Sequence, residues 1–155
     1  MKVIISDTTA LIILAKTNHL ELITNLIDKI YVPIAVMQEI RYKNDIVKLI
    51  IENSDFIEVH QIINKDILRD IKETNLDLGE TEAIALALEL DLRLIIDEKS
   101  GRKIAEQKGV KIIGLLDILE ANYRLEFISY RDLLYILDEF KRVGYRLKTP
   151  LLWLC

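Results

Sequence analysis

The chain has 155 residues, of which 51% are hydrophobic and 30% charged, and its formal net charge at pH 7 is −4. That length holds one sizeable core rather than two, so a single domain over 1–155 is expected, and the negative charge excludes a protein that grips nucleic acid by bulk positive charge. Mean hydropathy is +0.21, yet no apolar run approaches the roughly 20 residues that span a bilayer, and the acid at position 7 interrupts any secretory leader.

The chain opens on Val3-Ile4-Ile5-Ser6, an apolar run closed by Asp7 with Thr8 and Thr9 behind it. A strand is predicted at 3–6 and helices at 9–17 and 19–28. Strand 30–32 runs into Pro33, which suits a helix start, and Ile34, Val36, Met37 and Ile40 set the apolar face of a helix at 34–43. A helix at 45–53 leads to strand 56–59, where alternating polar residues suit a sheet edge. Helices at 65–75 and 79–90 precede the apolar triplet of strand 94–96; helix 101–109, strand 111–113 and helices 115–124 and 130–142 follow. Short β-branched runs alternating with helical stretches predict a parallel α/β sheet. The continuous triplets at 3–5 and 94–96 belong in its centre, covered by helices on both faces. No repeat, linker or low-complexity segment divides the chain. Cys155 is the one cysteine, so no internal disulfide forms, and the expected compartment is the cytoplasm.

Acids stand at the ends of these elements. Asp7 closes the first strand, Asp97 and Glu98 close the fourth, Glu39 lies in the helix after the second, and Glu80 and Glu82 lie in the first turn of the helix before the fourth. Sites in open parallel sheets form at the carboxyl ends of strands where the strand order reverses. Carboxylates gathered there repel one another unless a divalent cation neutralises them, and Mg²⁺ or Mn²⁺ suits an all-oxygen site. Each acid also has an ordinary reading. Asp7 or Thr9 serves equally as a helix cap, and Glu80 and Glu82 favour the positive end of a helix dipole. Those two lie about 200° apart around a helix, so both do not point into one small site. Glu39 and Glu98, taken singly, read as solvated residues; their joint placement is what argues for a metal centre.

Four stretches carry a resemblance: ISDTTALI from position 5, VPIAVMQEI ending at Ile40, LDLGETEAIALALEL from Leu76, and LIIDEKSGRKIAEQKGVKIIGLLDIL from Leu94. In this order they resemble the PIN-domain family of metal-dependent nucleases, over positions 3 to 119, and most closely a prokaryotic subgroup with a G-E-x-E-A helix start. The resemblance implies a three-layer α/β/α fold on a parallel sheet of about five strands in the order 3-2-1-4-5. It implies Mg²⁺- or Mn²⁺-assisted hydrolysis of RNA phosphodiester bonds, in the manner of VapC-like toxins held in check by a small antitoxin protein, and a homodimer. Asp7, Glu39, Glu80 and Glu98 match the family acids, and Thr9 matches the hydroxyl residue that helps hold metal-bound water. Glu82 stays an alternative to Glu80, and Asp97 an alternative to Glu98, since adjacent strand-end residues point in opposite directions. Two further readings stand beside this one: a catalytically degenerate PIN fold that binds RNA or protein, and a receiver-like signalling domain.

For an anionic substrate, Lys99, Arg102 and Lys103 follow the last acids directly. Arg102 is the first choice for phosphate, because its planar fork matches the oxygens; an exposed basic turn is the ordinary alternative. The segment 141–148 offers Tyr145 for stacking on a base among four basic groups, or simply a helix C-terminus favoured by cations. His19 and His60 read as surface or capping residues. The apolar tail at 151–155 suits the core, a homodimer surface or an altered end.

Overall fold

The computed structural model describes residues 1–43 and 45–146. In chain order it places β1 (Val3–Ser6), α1 (Thr8–Lys16), α2 (Glu21–Thr24), β2 (Lys29–Pro33), α3 (Ile34–Lys43), α4 (Asp45–Glu52) and β3 (Ile57–His60). There follow α5 (Lys65–Lys72), α6 (Leu78–Leu90), β4 (Leu94–Ile95), α7 (Lys99–Gln107), β5 (Ile112–Ile113), α8 (Leu115–Arg124) and α9 (Tyr130–Arg142).

The strands form one parallel sheet in the order β3-β2-β1-β4-β5. Ile4 and Ile5 of β1 and Leu94 and Ile95 of β4 are buried, as continuous apolar runs between two helical layers must be. β1 pairs with β2 through Ile4 and Ile30, and with β4 through Ile5 and Leu94. The order therefore reverses at β1, and the carboxyl ends of β1 and β4 share one rim. The ladder continues one residue past β1, where the Asp7 amide donates to Ile95 O at 3.0 Å. A receiver-like sheet has the order 2-1-3-4-5; the observed order rules that reading out.

β3 forms an edge, with Val59 46% exposed and His60 stacked on Tyr31 at 3.8 Å between ring centroids. Helix α1 buries Ala10, Leu11, Ile13 and Leu14, and α6 buries seven residues between Gly79 and Ala87, so both are enclosed on most sides. Among the described residues no helix is long and apolar enough to cross a membrane.

Most boundaries lie within one or two residues of the sequence reading; the helix expected at 65–75 ends at Lys72, and two further departures bear on the site and the core. The helix expected at 19–28 shrinks to the single turn of α2, because Leu20 offers no capping side chain and the chain turns back so that Asp28 and Lys29 amides donate to Lys2 O. Helix α7 starts at Lys99 rather than 101, which makes Glu98 its cap residue. His19 is not a surface residue either: its ring meets Glu21 at 3.2 Å and Glu139 at 2.8 Å, joining the end of α1 to α9. Partial burial works against its charge, but Glu139 and Glu21 outweigh that and raise its pKa above the ordinary imidazole value. Lys148 and the apolar tail at 151–155 lie outside the described residues.

Candidate metal centre

Asp7 sits where β1 hands over to α1. Its extended backbone makes it the cap of α1, with Oδ1 accepting from the Ala10 amide at 3.3 Å. A carboxylate buried without a matching positive charge is costly. Asp7 is only 3% exposed. Burial pushes its carboxyl up to about 8; the Ala10 amide opposes this, the charges of Asp97 and Glu80 add to it, and the Asp97 amide opposes it again. This carboxylate is held beside other acids with too little to neutralise it.

Glu39 reaches the same place from α3. Its Oε2 accepts from the Thr8 hydroxyl at 2.8 Å, and its Oε1 meets Lys43 Nζ at 2.9 Å one turn further along the helix. Glu80 comes from the first turn of α6, a helix whose start is capped by Asp77 accepting from the Glu80 amide at 2.8 Å. Glu98 comes from the start of α7 and makes no capping bond to its own helix. Asp7, Glu39, Asp77, Glu80 and Glu98 together line a cleft of about 240 Å³, joined by Thr8, Thr9 and Lys43. Four elements far apart in sequence thus deliver five acids and one cation to one hollow.

Of the sequence candidates, Asp7, Thr9, Glu39, Glu80 and Glu98 meet in this cleft, whereas Glu82 and Asp97 do not line it. Glu82 Oε1 instead accepts from the Ala35 amide at 3.0 Å. Asp97 bears on Asp7 through its charge and its amide, but its own carboxylate is bonded elsewhere. Its Oδ2 accepts from the Leu115 amide at 3.1 Å and its Oδ1 from the Tyr145 hydroxyl at 3.3 Å. Burial raises the Asp97 carboxyl; the Leu115 amide, Tyr145 and Arg102 pull it back, and Asp117 pushes it further up. The charge of Arg102 bears on Asp97 and Arg102 does not line the cleft, while Lys99 and Lys103 are exposed. Tyr145 is no free stacking platform: its ring packs edge-on against Phe140 at 6.2 Å, and burial and Asp97 raise its hydroxyl pKa. Tyr145→Phe is expected to lower stability by about 0.5–1.5 kcal/mol in a denaturant melt, the net worth of one hydrogen bond.

Sequence reasoning missed Thr8, Lys43, Asp77 and Gly79. Asp77 was readable, since Asp followed three residues later by Glu is a helix-start pattern. Gly79 matters by what it leaves out: a Cβ there would lie 2.8 Å from Glu39 Oε2 and 3.4 Å from Thr8 Oγ1.

Among the described residues no three His, Cys, Asp or Glu side chains are grouped so as to enclose an ion. Glu39 is turned to Thr8 and Lys43, and Asp77 to its own helix start. In kind, however, the donors fit a hard divalent cation: all are oxygens, they surround a buried acid, and Mg²⁺ keeps several of its waters and so needs few direct ligands.

The chain matches the family DUF3368, described as a PIN domain, over residues 3–153. Among solved structures it is similar to a PilT N-terminus domain protein from the archaeon Sulfolobus solfataricus P2, with 22% identity, a TM-score of 0.49, and coverage of 78% of this chain and 92% of that one. Comparison with curated proteins finds no match.

Proposed function

This chain belongs to the PIN-domain family, whose fold is a nuclease-type module, and on that premise we propose that it hydrolyses RNA phosphodiester bonds with Mg²⁺ or Mn²⁺ held in the acidic cleft. The observation that carries this reading is the meeting of Asp7, Glu39, Glu80 and Glu98, from four separate elements, around a carboxylate too buried to be a simple cap. These four acids would hold the cation, directly or through its waters. When bound, such an ion supplies a Lewis acid for a phosphoryl oxygen and lowers the pKa of a coordinated water.

The chain's own residues set the stage for that chemistry. Thr8 donates to Glu39 Oε2 and would hold that carboxylate in place beside the cation. Thr9 lines the cleft and, by the family resemblance, would hydrogen-bond a water held there. Lys43 brings a positive charge to the rim, where an RNA phosphate is attracted without base readout. Lys99 and Lys103 extend that attraction along the start of α7, and Arg102 contributes charge from beside Asp97. By its resemblance to VapC-like proteins, the chain acts as a toxin restrained by a small antitoxin partner, as a homodimer in the cytoplasm. Induced expression is then expected to arrest growth, and Asp7→Asn to relieve the arrest.

The Lys43 ammonium on Glu39 favours a second reading, in which a lysine has taken over the cation's role and the fold binds RNA without cutting it. One experiment separates the two. Single-stranded and structured RNAs are incubated with the protein in Mg²⁺, in Mn²⁺, and in EDTA. Cleavage in either metal, lost in EDTA and reduced about 100-fold or more by Glu80→Gln, supports the nuclease. RNA retention without cleavage in both metals supports the binding module.

A further inference from the structure

Helix α3 carries Glu39, yet nothing at its own start can cap it. Pro33 fills the preceding position and has no side-chain acceptor, although the first amides of a helix need one. Glu82 supplies it from another helix: its Oε1 accepts from the Ala35 amide at 3.0 Å, across 47 positions of sequence. A carboxylate at that end is also favoured by the helix dipole. The same two helices meet again one turn further on, where the missing Cβ of Gly79 leaves room for Glu39 Oε2. Residue 35 pairs with 82 and residue 39 with 79, so the helices run antiparallel across this contact. From 35 to 39 is about 6 Å of helix rise and from 82 to 79 about 4.5 Å, which makes the two ties close neighbours along one seam. Glu80, between them on α6, faces the cleft.

We infer that Glu82 is a positioning residue: through the Ala35 amide it sets the height of the helix bearing Glu39 against the helix bearing Glu80, and it takes no part in holding the ion. The pair G-E-x-E at 79–82 thereby divides its labour, with Gly79 admitting the Glu39 carboxylate, Glu80 facing the cleft and Glu82 fixing the neighbouring helix. This role rests on the nuclease reading for its consequence, although the tie itself is independent of it.

The test compares Glu82→Gln and Glu82→Ala with Glu80→Gln, reading Mn²⁺ affinity by calorimetry and exchange of the Ala35 amide by NMR. Glutamine keeps an oxygen acceptor and loses only the charge, so Glu82→Gln is expected to bind Mn²⁺ as the wild type does and to keep the Ala35 amide protected. Alanine removes the acceptor; Glu82→Ala is expected to exchange Ala35 faster and to weaken Mn²⁺ by about 10–100-fold, as loss of a supporting partner does. If Glu82→Gln binds Mn²⁺ as poorly as Glu80→Gln, Glu82 is a ligand and the inference is overturned. Unchanged Mn²⁺ affinity in Glu82→Ala overturns it as well. Should Glu82→Ala not fold, the two glutamine variants still decide. A wild-type protein that takes up no Mn²⁺ sinks the nuclease reading instead, and the Ala35 amide then reports whether Glu82 holds the helix start.

Discussion

Asp7→Asn is expected to abolish metal-dependent cleavage, by about 100-fold or more, while raising the thermal stability of the metal-free protein at neutral pH. The two effects share one cause. The Asp7 carboxyl titrates at about 8 in the fold against 3.8 in the unfolded chain, so the folded state binds its proton more tightly. The penalty for ionising it is absent below about pH 4, grows as pH rises between the two values, and is complete above about 8. Each pH step in that interval is worth about 1.4 kcal/mol, giving a ceiling of about 4 kcal/mol at pH 7. Asparagine is never ionised and still offers an oxygen to the Ala10 amide, but it adds a buried NH₂ that needs a partner and returns part of the gain. A net gain of about 2 kcal/mol corresponds to a rise of about 4–8 °C in Tm. Melting curves from pH 4 to pH 9 test it: the variant's advantage should vanish at the acid end. Added Mn²⁺ should raise the Tm of the wild type alone, because a bound cation relieves the same repulsion. A variant less stable than wild type at pH 8 would mean that Asp7 serves only as a cap.

Gly79→Ala separates the same two quantities by geometry. Alanine is favoured over glycine inside a helix by up to about 1 kcal/mol, yet its Cβ would stand 2.8 Å from Glu39 Oε2. The carboxylate is the tip of a flexible side chain, so it gives way at little energetic cost. Giving way means leaving the Thr8 hydroxyl and the cleft. The expected result is a melting temperature near that of the wild type with Mn²⁺ affinity lowered about 10–100-fold. Calorimetry and thermal melts on the same preparation check both halves. Unchanged Mn²⁺ affinity would show that the position of Glu39 has no bearing on metal binding.

The sheet was legible because its signals are local. Apolar triplets at 3–5 and 94–96 can be buried only between two layers, and both lie in the centre of the sheet. Helix α3 follows from Pro33 and the spacing of Val36, Met37 and Ile40, and its bounds match the expectation of 34–43. Bounds slipped most at helix ends, as at 19–28, 65–75 and 101–109, where a cap decides the last turn and neither Leu20 nor Glu98 makes a side-chain capping bond. In the cleft, the four family acids were legible from their motifs, but the hydrogen bonds that hold side chains across the fold were not. The partner of Thr8 lies 31 positions away and that of Glu82 lies 47 away. Periodicity cannot express either distance. Asp97 and Glu98 both lie past the end of β4 at Ile95, in the turn into α7, so strand alternation could not choose between them. Arg102, chosen for phosphate because of its fork, does not line the cleft, and its charge bears on Asp97.

Anomalous diffraction from crystals grown in millimolar Mn²⁺ asks the decisive question of where the cation binds. The expected result is one peak, or a close pair, among the carboxylates of Asp7, Glu39, Glu80 and Glu98, lost in crystals of Asp7→Asn. Density for Mn²⁺ on another face, or a cleft that stays free of it with Lys43 still on Glu39, would contradict the assignment of these acids to a metal centre.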